Sequence, residues 1–209
     1  MRARFVGCAI ALGAFAAGCG TKLADPGTTV PDADDTPVDA LPDAPIDAPP
    51  DAMPTCMGGD AHAYDPTSMT CILYFAGPKD YAASETACEG INGKLLVIKA
   101  AATNTVAGGL TTVRAWIGAT DEGHEGEFRW LDNAADVVGA NGGYSNWRAG
   151  EPNNAGLTVN AVATPENCAV LEGNQALKTW DDKSCVFGMD TAGNQQGRYA
   201  YLCQTPAMF

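Results

Sequence analysis

The chain has 209 residues, of which 46% are hydrophobic and 18% charged, with 12 Lys or Arg against 25 Asp or Glu. This length suits one domain or two short ones. The formal net charge of −13 argues against nucleic acid as a partner and favours cations over polyanions as ligands.

The first 18 residues have the composition of an export signal. Arg2 and Arg4 supply a positive start, and the apolar stretch 5–17 is too short to span a bilayer comfortably. Small residues directly before Cys19 resemble the acylation site of bacterial lipoproteins. We therefore interpret 1–18 as a lipoprotein signal peptide and Cys19 as a lipidated residue that places the protein in the outer membrane or at the cell surface. An ordinary signal peptide with an incidental cysteine is the alternative.

Residues 19–55 have the composition of a linker. Eight Asp and a single Lys occur in 20–55, among many Pro and Ala. A segment with so little apolar surface cannot offset the entropy of ordering it. Proline also favours extended backbone, and the aspartates repel one another. We interpret this segment as a disordered spacer that holds a domain away from the membrane, with loose calcium binding by the Asp repeat as the alternative.

Residues 56–209 differ in composition, and we interpret them as one globular domain. All four Trp lie here, and about 150 residues are enough for a single core. Six cysteines in an exported chain indicate three disulfide bonds, for which the count alone leaves fifteen pairings open. They are Cys56, Cys71, Cys88, Cys168, Cys185 and Cys203.

The hydrophobic pattern of this domain predicts a mixture of helices and strands. Helical spacing over 79–91, with Ile91 as its last apolar residue, predicts one helix, and 100–110 indicates a second, weaker one. Residues 132–180 are dominated by Gly, Asn and Pro without a convincing regular element, and a loop of that length is usually functional or disordered. Strands are predicted at 94–98, 114–120, 127–131 and 198–203.

Short motifs follow one another through the domain between the cysteines. They are Trp116-Ile117-Gly118, Phe128-Arg129-Trp130, Tyr144-Ser145-Asn146-Trp147, Glu151-Pro152-Asn153, Glu166-Asn167-Cys168, Trp180-Asp181-Asp182 and Tyr201-Leu202-Cys203. Each is weak alone, but their common order across essentially all of 56–209 resembles the C-type lectin domain.

The resemblance implies an α+β fold with two helices, small antiparallel sheets and a long calcium-binding loop region. It also implies three disulfide bonds: Cys56–Cys71, which would close an N-terminal hairpin, Cys88–Cys203 and Cys168–Cys185. We expect no enzymatic activity and no catalytic residue, because the acidic residues cluster as a metal site and no isolated acid lies in an apolar setting.

The resemblance further implies where calcium would bind. In this family a cis bond before the proline of Glu-Pro-Asn directs two side chains toward one ion, and calcium takes six to eight oxygen ligands. The implied principal ligands are Glu151, Asn153, Glu166, Asp181 and Asp182, the last with its backbone carbonyl as a further donor. A second calcium site is implied at Asp121, Glu125 and Asn167, with Glu166 shared between both ions. A solvated acidic turn is the alternative reading of that second site.

The same residues would bind a sugar whose two neighbouring hydroxyls complete the calcium coordination. The implied sugar-binding residues are Glu151, Asn153, Glu166 and Asp181. In this family Glu-Pro-Asn accompanies mannose-type ligands (mannose, N-acetylglucosamine and fucose), whereas galactose binders carry Gln-Pro-Asp. Asp181 replaces the family's usual Asn, and an ionised carboxylate cannot donate a hydrogen bond. The replacement adds charge for calcium and removes one donor for the sugar.

Two features leave another function open. The stretches 154–165 and 186–197 have the appearance of insertions beside the site, and they would either extend the site or block it. A protein-binding adhesion module with the same fold and no sugar binding is therefore the alternative. No nucleotide-binding or hydrolase motif is present, and no Cys or His spacing suits a zinc site.

Overall fold

The C-terminal strand organises the domain, because three strands from the N-terminal half of the domain pair with it. The computed structural model describes residues 54–159, 162–189 and 195–208, which belong to one unit, Pro49–Phe209. Its helices are α1 (Tyr81–Glu89) and α2 (Ala101–Leu110). Its strands are β1 (Ala61–Asp65), β2 (Thr70–Lys79), β3 (Lys94–Leu95), β4 (Arg114–Thr120), β5 (Arg129–Trp130), β6 (Asn133–Val137), β7 (Leu157–Val159), β8 (Val162–Thr164), β9 (Cys168–Glu172), β10 (Trp180–Lys183), β11 (Gly188–Met189), β12 (Gln195–Gln196) and β13 (Tyr199–Pro206).

The main sheet has the order β1-β2-β13-β4-β5-β6. Strand β13 runs antiparallel to β2 and parallel to β4, and the short β3 also pairs with it. Strand β9 pairs with β4, and β10 continues from β9 as an antiparallel hairpin. The hairpin therefore extends from the middle of the sheet and carries Asp181 and Asp182 on β10.

Both helices lie where the spacing of apolar residues predicts them. Asp80 caps α1, because its Oδ1 accepts a hydrogen bond from Ala83 N at 2.8 Å. Helix α2 has no side-chain cap, and Thr103 on its buried face donates to Asp65 of β1 at 2.7 Å. The predicted helical face extends too far, since α1 ends at Glu89 and Ile91 beyond it is exposed.

Aromatic packing joins the long loop region to the sheet. The buried Trp180 of β10 has edge-on ring contacts with Trp130, Tyr144 and Trp147, with centroids 5.6–5.7 Å apart. Trp147 also forms an isolated β-bridge with Trp180. Edge-on aromatic pairs stabilise beyond the area that they bury. These contacts fix the loop before Glu151 against the strand that carries Asp181.

The prediction that 132–180 lacks regular elements is wrong. This region contains β6, a 3-10 turn at Ala140–Gly142, β7 to β9 and the start of β10. Strand β9 is too short for a clear periodic signal, although all five of its residues are buried. Strand β10 reads Trp-Asp-Asp-Lys, and its charges hide a buried strand from a hydropathy pattern. Two other strands are shorter than predicted, since 94–98 and 127–131 contain only β3 and β5.

The three disulfide bonds are those that the family resemblance implies. Cys56–Cys71 closes the β1–β2 hairpin, Cys88–Cys203 joins α1 to β13, and Cys168–Cys185 links the ends of the β9–β10 hairpin. The α+β fold with two helices is confirmed.

Several expectations concern parts of the chain outside the described residues. They include the signal peptide at 1–18, the lipidated Cys19 and the linker up to residue 53. The two expected insertions are described in part and contain the two-stranded β7–β8 and β11–β12 ladders. No helix among the described residues is long and apolar enough to cross a membrane.

Candidate functional site

The loop Glu151-Pro152-Asn153 is held against β10 through its backbone. Arg148 N donates to Trp180 O at 2.8 Å, and Glu151 N donates to Arg148 O at 2.9 Å. The Glu151–Pro152 peptide bond is cis. Only 6% of the Glu151 side chain is exposed, so its carboxylate lies within the protein beside β10.

The buried carboxylate of Asp182 fixes the other half of this loop. Its Oδ2 accepts hydrogen bonds from Asn154 N at 2.7 Å and from Asn153 N at 3.1 Å. Backbone N–H groups that converge on a carboxylate orient it strongly. Asp182 therefore positions the Glu-Pro-Asn loop.

Asp181 is fully buried and is surrounded by three side-chain cations. Its Oδ2 lies 2.8 Å from Lys183 Nζ, 3.2 Å from Arg148 Nη2 and 3.7 Å from Arg114 Nη2. None of these pairs has the directionality of a hydrogen bond, so both carboxylate oxygens lack a hydrogen-bond partner. The contacts of Asp181 Oδ2 are thus ion pairs with side-chain cations, which occupy the space beside this carboxylate.

Three of the five predicted principal ligands come together. Glu151, Asp181 and Asp182 each place a carboxylate oxygen within 4.8 Å of the other two. Oxygens that share one calcium ion at about 2.3–2.6 Å have separations of this size or less. The three carboxylates could therefore bind one cation without a large rearrangement.

The other two predicted principal ligands lie beside this group with their oxygens engaged elsewhere. Glu166 is 2% exposed, and its Oε1 is 3.5 Å from Lys183 Nζ. The side-chain Oδ1 of Asn153 accepts a hydrogen bond from Ala155 N at 2.7 Å. The structure thus brings both residues to the site but does not direct their oxygens into the cluster of three carboxylates.

The predicted second site is partly assembled. Asp121 is 2% exposed; its Oδ2 accepts from Gly126 N at 2.9 Å and its Oδ1 has no hydrogen-bond partner. Asn167 lies next to it, since Asp121 N donates to Asn167 O at 3.2 Å, and Asn167 Oδ1 is also unpartnered. Glu125 is exposed, and its Oε1 accepts from Asn154 Nδ2 at 2.6 Å.

The sequence analysis missed Asn154, which connects the two predicted sites. Its Nδ2 donates to Glu125, and its Oδ1 accepts from the backbone N of Glu166 at 2.9 Å. Only its position directly after Glu-Pro-Asn could have indicated this role.

The sequence analysis also missed an ion-pair network around Asp181. Glu172 of β9 is fully buried, 3.1 Å from Arg114 Nη2 and 3.5 Å from Arg148 Nε. Arg148 Nη2 also lies 2.6 Å from Glu151 Oε1. The signal was the placement of Arg148 and Lys183 beside acidic motifs in the sequence.

Burial raises the pKa of three carboxyl groups in the two predicted sites. For Glu151 the charge of Asp181 adds to the effect of burial and the Arg148 hydrogen bond opposes it. For Glu166 burial raises the pKa and the charge of Lys183 opposes the rise. For Asp121 burial again dominates, against a hydrogen bond from the Gly126 backbone. Burial therefore disfavours the ionised forms of these carboxyl groups when no ion is bound, and a bound cation would stabilise them.

Burial alone would lower the pKa of Lys183, but the contacts with Asp181 and the charge of Glu166 raise it above its ordinary value. Lys183 is therefore a charged ammonium group within the acidic cluster.

The sequence is similar to those of known C-type lectin domains. A sequence profile of the lectin C-type domain matches residues 77–188. The low affinity immunoglobulin epsilon Fc receptor of Mus musculus is 31% identical over 121 residues, which cover 57% of this chain and 32% of the receptor. The hepatic lectin of Gallus gallus is 27% identical over 151 residues, which cover 71% of this chain and 61% of that protein. The matches thus span only about a third to three fifths of these relatives.

Among solved structures, the chain is similar to the C-type carbohydrate-recognition domain of cow CD23, determined in the presence of GlcNAc2Man3 oligosaccharide. The TM-score is 0.55 and the sequence identity 28%, and the match covers 75% of this chain and 100% of that domain.

Proposed function

The chain belongs to the C-type lectin domain family, whose profile covers more than half of it, and on that premise we propose that it binds carbohydrate through calcium. The principal site consists of Glu151, Asn153, Glu166, Asp181 and Asp182, as the sequence motifs imply.

The distribution of unpartnered oxygens carries this proposal. Among the described residues, every buried side-chain oxygen without a hydrogen-bond partner belongs to a predicted calcium ligand. These residues are Asp121, Glu151, Asn167 and Asp181. Buried polar atoms are nearly always paired, so unpaired ones that converge point to a ligand. Calcium is the cation that suits a set made only of carboxylate and amide oxygens.

The formal charge of the principal site agrees with a divalent cation. Five carboxylates meet three side-chain cations there, which leaves a charge of −2. The acids are Glu151, Glu166, Glu172, Asp181 and Asp182, and the cations are Arg114, Arg148 and Lys183. One calcium ion would balance this charge, or would leave −1 if Lys183 moved out of the site.

The chain's own residues would orient the sugar. Bound calcium supplies coordination for two neighbouring sugar hydroxyls. The carboxylates of Glu151, Glu166 and Asp181 accept hydrogen bonds from the hydroxyl protons, and the Asn153 amide donates to a hydroxyl oxygen. Because Asp181 cannot donate when ionised, this site has one donor fewer than a site with two carboxamides.

We propose mannose-type glycans, including N-acetylglucosamine and fucose, as the ligands. The Glu-Pro-Asn segment supports this choice, together with the similarity to the cow CD23 domain studied with GlcNAc2Man3 oligosaccharide. The test is chromatography of the disulfide-bonded chain on immobilised mannose and galactose in calcium, followed by elution with a chelator. Retention on mannose that the chelator releases is the expected result, and equal passage through both columns would contradict the proposal.

A double substitution tests the same specificity from the other side. The variant E151Q/N153D exchanges the positions of carboxylate and carboxamide around Pro152 and should shift retention from mannose toward galactose. The matched control is the double variant E122Q/N133D, because both residues are exposed and neither is part of a predicted site. Unchanged preference in E151Q/N153D would argue that these side chains do not touch the sugar.

We further propose a second calcium at Asp121, Glu125 and Asn167, with Glu166 between the two ions. The unpartnered Asp121 Oδ1 and Asn167 Oδ1 support it. Calorimetric titration should then give two calcium per chain, and D121N should reduce this to one. A single site in the unaltered chain would favour the solvated acidic turn.

We propose that Cys19 is lipidated and that the linker extends the domain from an outer or cell-surface membrane. The small residues before Cys19 support this. The variant C19S should move the protein from the membrane fraction to the soluble fraction and abolish labelling by a fatty acid. Continued labelling would contradict lipidation at this residue.

A protein-binding adhesion function is the second candidate. Val186, Phe187 and Met189 in the second expected insertion are 53%, 40% and 50% exposed. Apolar side chains that cluster on a surface are typical of protein interfaces. A chain that binds calcium, fails to bind any monosaccharide and loses cell adhesion on F187S would support this candidate over the lectin.

A further inference from the structure

Lys183 occupies an unusual position among the predicted calcium ligands. Its Nζ lies 2.8 Å from Asp181 Oδ2, 2.8 Å from Asp182 O and 3.5 Å from Glu166 Oε1. These three residues are all members of the proposed principal site, and one of the contacts uses the Asp182 carbonyl expected to bind calcium. Only 14% of the Lys183 side chain is exposed. The ammonium is therefore inserted into the ligand set rather than lying at its edge.

An ammonium group and a calcium ion cannot use these oxygens together. Calcium requires its oxygens at about 2.3–2.6 Å, and the two positive charges would then be separated by only a few ångströms. Lysine carries its charge on a flexible four-carbon stem, so it can leave the site without a change in the backbone. Calcium binding and the present contacts of Lys183 thus exclude each other.

The neighbouring Arg148 does not stand in the same position. Its Nη2 contacts Glu151 and Asp181, but its Nε faces Glu172, which is outside the proposed ligand set. Arg148 can remain paired with Glu172 when the other carboxylates turn to an ion. Lys183 has no acidic partner outside the proposed ligands among the ion pairs of the described residues.

We propose that Lys183 is an internal competitor of calcium: its ammonium neutralises the ligand carboxylates until calcium displaces it, and it thereby sets the calcium affinity of the site. The proposal rests on the proposed calcium-dependent function. It explains how Asp181, with an added charge, can be fully buried without an ion. It also raises the calcium concentration at which the site fills, since calcium must displace a tethered cation.

Substitution of Lys183 by methionine tests this proposal, because methionine preserves most of the side-chain volume without the charge. Calcium affinity by calorimetry and calcium-free melting temperature are measured for the disulfide-bonded chain, K183M and K183R. The matched control is K99M, since Lys99 also pairs with two carboxylates, Asp132 and Asp136, which belong to no predicted site. K183M should bind calcium at least about tenfold more tightly, equal to about 1.4 kcal/mol, and melt at a lower temperature without calcium. K183R and K99M should not gain affinity.

The calcium affinities of the unaltered chain and K183M distinguish a failure of this proposal from a failure of the proposed function. If the unaltered chain binds calcium and K183M binds it no more tightly, Lys183 does not compete with calcium, and the proposed lectin function is unaffected. An unaltered chain that does not bind calcium, with K183M that does, would support the competitor and contradict calcium-dependent function in the native chain. Absence of binding in both would overturn both proposals.

A measurement on the unaltered chain covers the case in which K183M does not fold. Acetylation of lysines, followed by mass spectrometry of each peptide, reports how accessible Lys183 is. Calcium should increase the acetylation of Lys183 several-fold and leave that of Lys99 unchanged. If Lys183 stays equally protected while calcium is bound, it is not displaced and the proposal is wrong.

Discussion

Asp65 and Asp181 are both fully buried carboxylates, but their surroundings differ. Asp65 accepts hydrogen bonds from Thr67 N at 3.0 Å and from the hydroxyls of Ser68 and Thr103 at 2.7 Å. Asp181 accepts none and is surrounded by cations. The charge of Asp65 is thus stabilised by hydrogen-bond donors within the fold, whereas that of Asp181 is balanced only by cations, which agrees with its proposed role as an ion ligand.

Replacement of Asp65 by Asn should destabilise the domain. The amide would place an NH2 group against the donors around it, and loss of hydrogen bonds to a charged group costs about 1.5–3 kcal/mol. Burial would raise the pKa of Asp65, but the hydrogen bonds from Ser68, Thr103 and Thr67 lower it below its ordinary 3.8. The stabilising effect is therefore present above pH 3.8 and is lost as the pH falls through the lower native value. Urea denaturation should show a deficit in D65N at pH 7 that shrinks below pH 3.8. The control D60N changes an exposed carboxylate that accepts one hydrogen bond, from Ala76 N, and should change stability by less than about 1 kcal/mol because the group stays in water.

Calcium binding should weaken as the pH falls from 7 to 5. The pKa values of Glu151 and Glu166 are raised above the ordinary 4.5, chiefly by burial, so protons compete for these groups at a higher pH than for exposed glutamates. Calorimetry at several pH values measures the effect, together with the number of protons released per calcium bound. An affinity that is the same at pH 7 and pH 5 would show that these carboxylates do not bind the ion.

The β9–β10 hairpin is the element that assembles the site. Glu166 precedes β9, while Asp181 and Asp182 lie on β10, and the two strands are covalently joined by Cys168–Cys185. The backbone contacts between Arg148 and Trp180 then bring the Glu-Pro-Asn loop to the same place. The Glu-Pro-Asn loop and β10, which are distant in sequence, thus bring three carboxylates together, and Glu166 lies beside them.

Removal of the disulfide Cys168–Cys185 by serine substitution should reduce both stability and calcium affinity. A disulfide bond that closes a loop of about 15 residues stabilises the folded state by about 3 kcal/mol. The Cys56–Cys71 bond is a matched control, since the two bonds have similar sequence separations of 17 and 15. Its removal should lower the melting temperature to a similar extent without changing the calcium affinity of the folded protein. Equal affinities in both variants would indicate that the hairpin keeps its geometry without its disulfide.

The sequence predicts these elements unevenly. Helix α1 follows from the spacing of Tyr81, Ser84 and Cys88, and the disulfide pairs follow from the family resemblance. Strand β10 could not be predicted from hydropathy, because its buried side chains are charged and have polar partners that lie mostly in other segments. The carboxylates of the site could be identified from motifs. The contacts of Lys183 could not, because they depend on where a flexible side chain turns.

At the scale of the whole molecule, calcium binding should stabilise the folded state of the domain. A ligand that binds only the native state at 100 times its dissociation constant stabilises by about 2.7 kcal/mol. In a domain of about 150 residues this raises the melting temperature by about 5–10 °C. Scanning calorimetry with calcium and with a chelator measures the shift, and magnesium should give a smaller one because it demands octahedral geometry. The variant E151Q should lose most of the shift; a shift of full size in that variant would place the bound ion elsewhere.

The pairing of the domain's two ends has a mechanical consequence. Thr55 N donates to Met208 O at 2.9 Å, and the neighbouring Cys56 is covalently bonded to Cys71 on β2. Tension applied at residue 54 would therefore pass through the Cys56–Cys71 bond directly to β2. It would then pass through the long β2–β13 ladder as shear, with many backbone hydrogen bonds resisting at once. A domain tethered at this end and pulled by its ligand should thus resist stretching, and the ligand should detach before the fold opens.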